Sequence, residues 1–294
     1  MSVLVRFWGT RGSIPTPGSK TRRYGGNTSC VEIDVDGTLF VCDAGTGLRE
    51  LGLDLMQRRK GAVEAHLLCS HTHWDHIQGF PFFLPAYDES TVLNVYEISR
   101  GYERFTRLLL GQMRSEYFPV SFSDLGSTIV PRYFDSGRTQ VGDVLLQTFE
   151  QTHPGRSFAY AFEAQGRRIV YATDSEIDLI LLNPEAVTRD PDAMRLLPDD
   201  LVRLVADADL LIADAQYTDQ EYVLKTGWGH SRASTLVDLA VQAGVRRLAL
   251  FHHDPLHSDA QVDEILDQAR ARIATRGSNL EAFAAREGLT LKLA

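Results

Sequence analysis

Residues 70–76 read Ser70-His71-Thr72-His73-Trp74-Asp75-His76. Three imidazoles and one carboxylate fall in one short stretch. Imidazole nitrogen and carboxylate oxygen are ligands that zinc, manganese and iron all accept. The stretch follows the apolar run Ala65–Cys69, so these side chains leave the end of a strand, where they can converge on one point. Neutral histidines in a cluster need partners, and a metal ion is the simplest one. Further candidates close later strands. Thr152-His153-Pro154 follows a strand over 143–149, Thr173-Asp174-Ser175 follows Ile169–Ala172, and Phe251-His252-His253-Asp254-Pro255 follows 245–251. Alone, His153 reads equally as a polar loop residue, and an aspartate after a strand is commonly a turn or cap residue. Together they put His or Asp at the same end of successive strands, the end at which open α/β architectures build sites.

The elements that must position these residues can be read coarsely. Strands open the chain at Val3–Phe7, Cys30–Val35 and Leu39–Cys42, with Asp36-Gly37 as the hairpin turn between the last two. Residues 9–28 are rich in Gly, Pro, Ser and Thr and too irregular for a regular element. Thr46–Arg59 reads as a helix, followed by the strand Ala65–Cys69, a strand at 92–96 and a helix near 101–113. The second half predicts strands at about 143–149, 158–163 and 168–173, a helix around 199–206, and the strand Leu210–Ala213. Ser231 sits where a helix N-cap is expected, with Leu236, Leu239, Ala240 and Ala243 on one face and Gly244 as a stop. A strand at 245–251 precedes a helix over 259–275, with Val262, Ile265, Leu266, Ala269 and Ile273 at helical spacing. A short helix and the strand Leu289–Leu293 end the chain. Runs of strands interrupted by helices in both halves predict an α/β (α+β) architecture of two helix-covered sheets in a single domain, residues 1–294.

Composition narrows the partners. The 294 residues carry 30 Lys and Arg against 39 Asp and Glu, a formal charge of −9. Such a surface repels polyphosphate backbones, which disfavours a stable nucleic-acid partner, although a local pair of divalent cations would still attract a small anion. No apolar run approaches the length of a membrane span, and the opening residues carry no secretory signal pattern. Three cysteines, Cys30, Cys42 and Cys69, lie in apolar strand-like surroundings. Reduced, buried thiols and a cytoplasmic location are the expectation.

At this point the sequence resembles the metallo-β-lactamase superfamily, through His71-x-His73-x-Asp75-His76 and over nearly the whole chain. The resemblance implies a four-layer αβ/βα sandwich. It also implies two divalent metal ions, zinc first with manganese or iron as alternatives. One would be held by His71, His73 and His153, the other by Asp75, His76 and His252, with Asp174 bridging. His253 competes with His252, which is preferred because similar sequences place the ligand three positions before the proline. True β-lactamases carry a cysteine where Asp174 stands, whereas a shared carboxylate suits two-metal phosphodiester hydrolysis.

Asp214-Ala215-Gln216-Tyr217 and Gly229-His230-Ser231 look like the paired acid and histidine of the ribonuclease Z and cyclic nucleotide phosphodiesterase branch. In that branch the histidine faces the scissile phosphate and the carboxylate orients it. The chemistry is sensible: a departing alkoxide needs a proton, and an imidazolium steadied by a carboxylate can give one. His230, Asp214 and Asp75 are thus the catalytic candidates. Ser231, Arg11 and Asn27 are the substrate-binding candidates, and Asp43 stands behind the ligands in a supporting role. No Gly- and Lys-rich arm separates His76 from His153. That segment has apolar and aromatic residues instead, among them Phe80, Phe82, Phe83, Tyr117, Phe118 and Phe122, some of which could stack on a nucleobase. The expected activity is a phosphodiesterase acting on a small phosphodiester, foremost a cyclic nucleotide. A ribonuclease Z-like RNA-processing nuclease is the first alternative, and a carboxylic-ester or thioester hydrolase the second. Related proteins are often homodimers, which leaves that assembly open here.

Overall fold

The computed structural model describes residues 2–58, 62–97, 104–134 and 137–293. They divide into two compact units, one from the N-terminus to Val144 plus Arg286 onward, the other Leu145–Ala285.

The first unit contains β1 (Val3–Gly9), β2 (Cys30–Val35), β3 (Thr38–Cys42), α1 (Gly47–Arg58), β4 (Glu64–Leu68), β5 (Val92–Glu97), α2 (Arg104–Gln112), β6 (Thr128–Tyr133) and β7 (Arg138–Val141), and takes β14 (Thr290–Leu293) from the far end of the chain. Its sheet has the order β14-β1-β2-β3-β4-β5-β6. The β1–β3 part pairs antiparallel and β3 through β6 run parallel. In β1 the side chains of Val3, Val5 and Phe7 are buried while those between them are half-buried, the alternation of a strand packed mainly on one face. Leu48, Leu51 and Leu55 of α1 are fully buried in a cluster with Leu39, Val41, Leu67 and Val95. Each contributes about 2 kcal/mol of apolar burial and pins the helix over the strands that carry the His motif. Arg59 and the first residues of the helix expected near 101 lie outside the described residues.

The second unit contains β8 (Val144–Gln151), β9 (Ser157–Ala164), β10 (Arg167–Ala172), α3 (Pro184–Arg189), α4 (Asp199–Val205), β11 (Leu210–Asp214), α5 (Asp219–Lys225), α6 (Ala233–Gln242), β12 (Arg247–Phe251), α7 (Asp259–Thr275) and β13 (Glu281–Ala284). These strands lie in the order β13-β12-β11-β10-β9-β8. β8, β9 and β10 form an antiparallel meander, and β10 through β13 are parallel. Every residue of β11 is buried, as expected of a central parallel strand. The topology has one consequence for chemistry: β8, β10, β11 and β12 all point the same way, so their C-terminal ends share one edge.

Two local expectations are corrected. Ser231 is not an N-cap: α6 starts at Ala233, with Arg232 as its cap residue. The Ser231 hydroxyl instead donates to the Ser175 carbonyl and accepts the Ile177 amide at 3.1 Å. The short helix expected before the last strand is β13. Its sequence, Glu281-Ala282-Phe283-Ala284, favours helix by composition, but pairing beside β12 overrides that preference. By contrast α7 matches the expected 259–275 residue for residue, because Ser258 and Gln261 form a full capping box at its start.

Candidate metal centre

In the first unit the His motif leaves the end of β4 and is organised by Asp43, at the end of β3. Asp43 is fully buried and sits at φ 63°, a left-handed conformation that Asp tolerates better than most residues. Its carboxylate accepts from the Ser70 amide at 2.6 Å, the Ser70 hydroxyl at 2.9 Å and His76 Nδ1 at 2.7 Å. The Ser70 hydroxyl has given its only proton to Asp43, so toward His71 Nδ1, 3.1 Å away, it is the acceptor. In His71 and His76 alike, Nδ1–H is therefore the donor and Nε2 keeps its lone pair, the tautomer a metal ligand requires. The rings of His71 and His73 lie 4.4 Å apart, and those of His71 and His76 4.3 Å. Asp75 is buried, with Oδ2 3.2 Å from His76 Nε2. The same oxygen accepts the Ser13 amide at 2.7 Å, which ties the irregular 9–28 segment to the motif.

In the second unit the shared strand edge gathers His153, Asp174, Asp214 and His252. Asp174 (φ 50°), two residues past β10, and His252 (φ 59°), directly after β12, both take the left-handed conformation, as Asp43 does after β3. Asp174 Oδ1 lies 3.1 Å from His252 Nε2, and Oδ2 lies 4.0 Å from His153 Nε2. The two oxygens of one carboxylate thus face two different imidazoles. Each ring is again held from behind: His153 Nδ1 donates to the Gly229 carbonyl at 2.8 Å, and His252 Nδ1 to Gln216 Oε1 at 2.9 Å. Burial lowers the pKa of His153 against the opposing pull of Asp174, which favours the neutral, ligating form. His230 Nδ1 lies 2.7 Å from the fully buried Asp214 carboxylate, and its ring stacks on His252 at 5.0 Å. Asp174, Asp214, His230 and His252 offer ligand-type atoms within 4.8 Å of one another.

The donor set fits divalent cations. It consists of imidazoles whose outer nitrogens are fixed by hydrogen bonds, together with carboxylates, and no thiolate takes part. Cys30, Cys42 and Cys69 are buried, and burial raises all three thiols well above their usual range.

The structure also separates the two adjacent histidines. His253 Nε2 donates to the Ala285 carbonyl at 2.8 Å, on the β13 side, while His252 faces Asp174. The expected substrate contacts each make bonds within the chain. Arg11 is fully buried, its Nε donating to the Gly25 carbonyl at 2.9 Å. Asn27 is bound to Glu287 through its amide at 2.6 Å and its side chain at 3.1 Å. Ser231 is fully buried, its hydroxyl engaged by Ser175 and Ile177. These geometries hold loops in shape. Among the aromatic residues, Phe80 and Phe83 are core, whereas Phe82 is 54% and Tyr117 74% exposed. Phe82 also meets Phe118 edge to face at 5.4 Å. Sequence reasoning missed Ser70, Gln216 and Gly229 as orienting groups, although each lay inside or beside a quoted motif.

The description "Beta-lactamase superfamily domain" matches residues 38–253. A protein called Ribonuclease Z from Natronomonas pharaonis is 29% identical over 173 residues, which is 57% of this chain and half of that protein's length. Another Ribonuclease Z, from Halobacterium salinarum strain R1, is 27% identical over 99% of this chain and 97% of its own. Among solved structures, the metallo-β-lactamase fold protein YhfI from Bacillus subtilis superposes with a TM-score of 0.70 at 19% identity, covering 99% of both chains. Human tRNase Z, short form, superposes with a TM-score of 0.62 at 19% identity, covering 98% of both. At such identities the structural likeness speaks for the fold.

Proposed function

The chain belongs to the β-lactamase superfamily, and from that premise we propose that it is a metal-dependent phosphodiester hydrolase of the ribonuclease Z-like branch, acting on a small phosphodiester, foremost a cyclic nucleotide. The observation that carries the reading is the His230–Asp214 pair at 2.7 Å, set within the same cluster as Asp174 and His252. The ligand assignment we propose is His71, His73 and His153 for one cation, Asp75, His76 and His252 for the other, and Asp174 shared. We take zinc as the native metal, ahead of manganese or iron. We further propose a cytoplasmic location and a single hydrolase domain over residues 1–294, with a homodimer as the assembly to test.

When bound, the cations activate water and withdraw charge from the phosphoryl oxygens. The protein supplies the rest. Asp214 occupies Nδ1 of His230, so the transferable proton sits on Nε2. His230 delivers it to the departing oxygen, and Asp214 stabilises the imidazolium before transfer. Asp75, braced by the Ser13 amide, keeps a carboxylate against His76. Phe82 and Tyr117 expose aromatic surface of the kind on which a nucleobase stacks.

A second reading, an RNA-processing nuclease, draws support from the relatives that carry the name Ribonuclease Z over nearly the full chain. The net charge of −9 weighs against it. Metal analysis of the purified protein, with a turnover screen of cyclic mono- and dinucleotides, short RNA and a thioester, tests both readings. Turnover of a cyclic nucleotide is the expected result. Cleavage of RNA with no turnover of small diesters would favour the nuclease, and turnover of the thioester alone would overturn both. Sedimentation of the same preparation checks the dimer.

A further inference from the structure

Glu176 is absent from the ligand set, yet it is fully buried. A buried carboxylate costs several kcal/mol unless its oxygens are satisfied. Its partners are neutral dipoles rather than a cation. It accepts from the amides of Gly227 at 2.6 Å and Gly229 at 2.7 Å, and from the Tyr222 hydroxyl at 2.8 Å. Its own amide donates to the Thr152 carbonyl at 2.7 Å. The Gly229 carbonyl in turn accepts His153 Nδ1–H at 2.8 Å. These bonds close a ring from Glu176 to Gly229, to His153, to the adjacent Thr152 and back to Glu176.

The loop so clamped, Gly227-Trp228-Gly229, depends on its two glycines. Gly227 and Gly229 sit at φ 88° and 92°, and a Cβ on Gly229 would lie 2.3 Å from His153 Nδ1. The loop runs directly into His230. One carboxylate therefore fixes Gly229, whose carbonyl orients His153, and the backbone from which His230 projects.

We propose that Glu176 is a positioning residue that sets the direction of His153 Nε2 and the seat of the His230 imidazole at the same time. This rests on the reading of His153 as a ligand and His230 as the proton donor. A carboxylate is required because both loop groups facing it are N–H donors. An isosteric amide would turn its own NH₂ against one of them.

Two variants test it, E176Q and Y222F, with wild type and H230A beside them. The readouts are zinc affinity, by competition with a chromophoric chelator, and kcat/KM for two diesters. One diester leaves as an alkoxide, the other, bis(p-nitrophenyl) phosphate, as a phenolate. E176Q is expected to weaken zinc binding ~10–100-fold, as loss of groups behind a ligand does. It is also expected to lose at least ~10-fold more activity on the alkoxide diester than on the aryl one, the mark of a misplaced proton donor. Y222F keeps both amide bonds and should move both readouts the same way by about 2–5-fold, the worth of one hydrogen bond. A folded E176Q with wild-type zinc affinity and a wild-type ratio between the diesters overturns the proposal, even if its melting temperature falls. If E176Q does not fold, Y222F decides by the same two readouts. A wild type that binds zinc but hydrolyses neither diester refutes the phosphodiesterase reading instead, and zinc affinity still decides the role of Glu176.

Discussion

Asp174 presents one carboxylate oxygen to His252 and the other to His153. A monodentate turn residue has no need of that division, whereas a shared carboxylate offsets the repulsion of two nearby cations. Asp174→Ala is expected to lower bound metal from about two ions toward one or none, with turnover lost in parallel. Elemental analysis of the purified variant checks this, and two ions with a normal rate would return Asp174 to a turn role. The adjacent histidines make a second comparison. His252→Ala should lose metal and activity, because its Nε2 faces Asp174. His253→Ala should keep both, because its ring serves the Ala285 carbonyl, and its cost should appear in stability, about 1 kcal/mol for a lost hydrogen bond. Metal titration and thermal melting of the pair separate the two roles.

At the scale of elements, the site follows from strand direction. β8, β10, β11 and β12 end at one edge because β9 reverses the chain and the later crossovers are parallel. Their last residues therefore fall together although they lie up to about a hundred positions apart in sequence. Loop shape then finishes the job. Gly229→Ala, at φ 92° with His153 Nδ1 in the space of the new Cβ, should displace the imidazole. We expect a loss of at least ~10-fold in metal affinity with the fold retained, since groups behind a ligand carry that weight. Chelator competition and circular dichroism check the two halves of that statement. Much of this was legible in the sequence. Most strands, the closing His and Asp residues and α7 could be read, because apolar runs and capping boxes are local signals; β6 and β7, largely exposed or half-buried, carry no such run and were not expected. β13 could not, since its Glu and Ala composition says helix and only the neighbouring β12 makes it a strand. Helix α5 was missed despite a local signal, the Thr218–Glu221 capping box. The bonds that Arg11, Asn27 and Ser231 make within the chain were not legible, because a family motif marks a position without saying what its side chain meets.

For the whole molecule, the proposed ligand set makes metal binding a folding term, since its members lie far apart in the unfolded chain. Any ion that binds only the native chain stabilises it by mass action, about 2.7 kcal/mol at a hundredfold excess over its dissociation constant. Chelation should therefore lower the melting temperature by several degrees and zinc should restore it. An unchanged melting temperature would mean that the clusters do not hold metal in solution. No helix among the described residues is long and apolar enough to cross a membrane.

The central claim is phosphodiester hydrolysis with His230 as proton donor, and the leaving group tests it most directly. Measure kcat/KM of wild type and His230→Ala on a cyclic nucleotide and on bis(p-nitrophenyl) phosphate. The departing ribose oxygen is a poor leaving group that needs its proton, so the variant should lose ~10²–10⁴-fold on the nucleotide. The nitrophenolate is stable without one, so the loss there should be much smaller. Equal fractional losses on the two substrates, or no loss on either, would contradict the account.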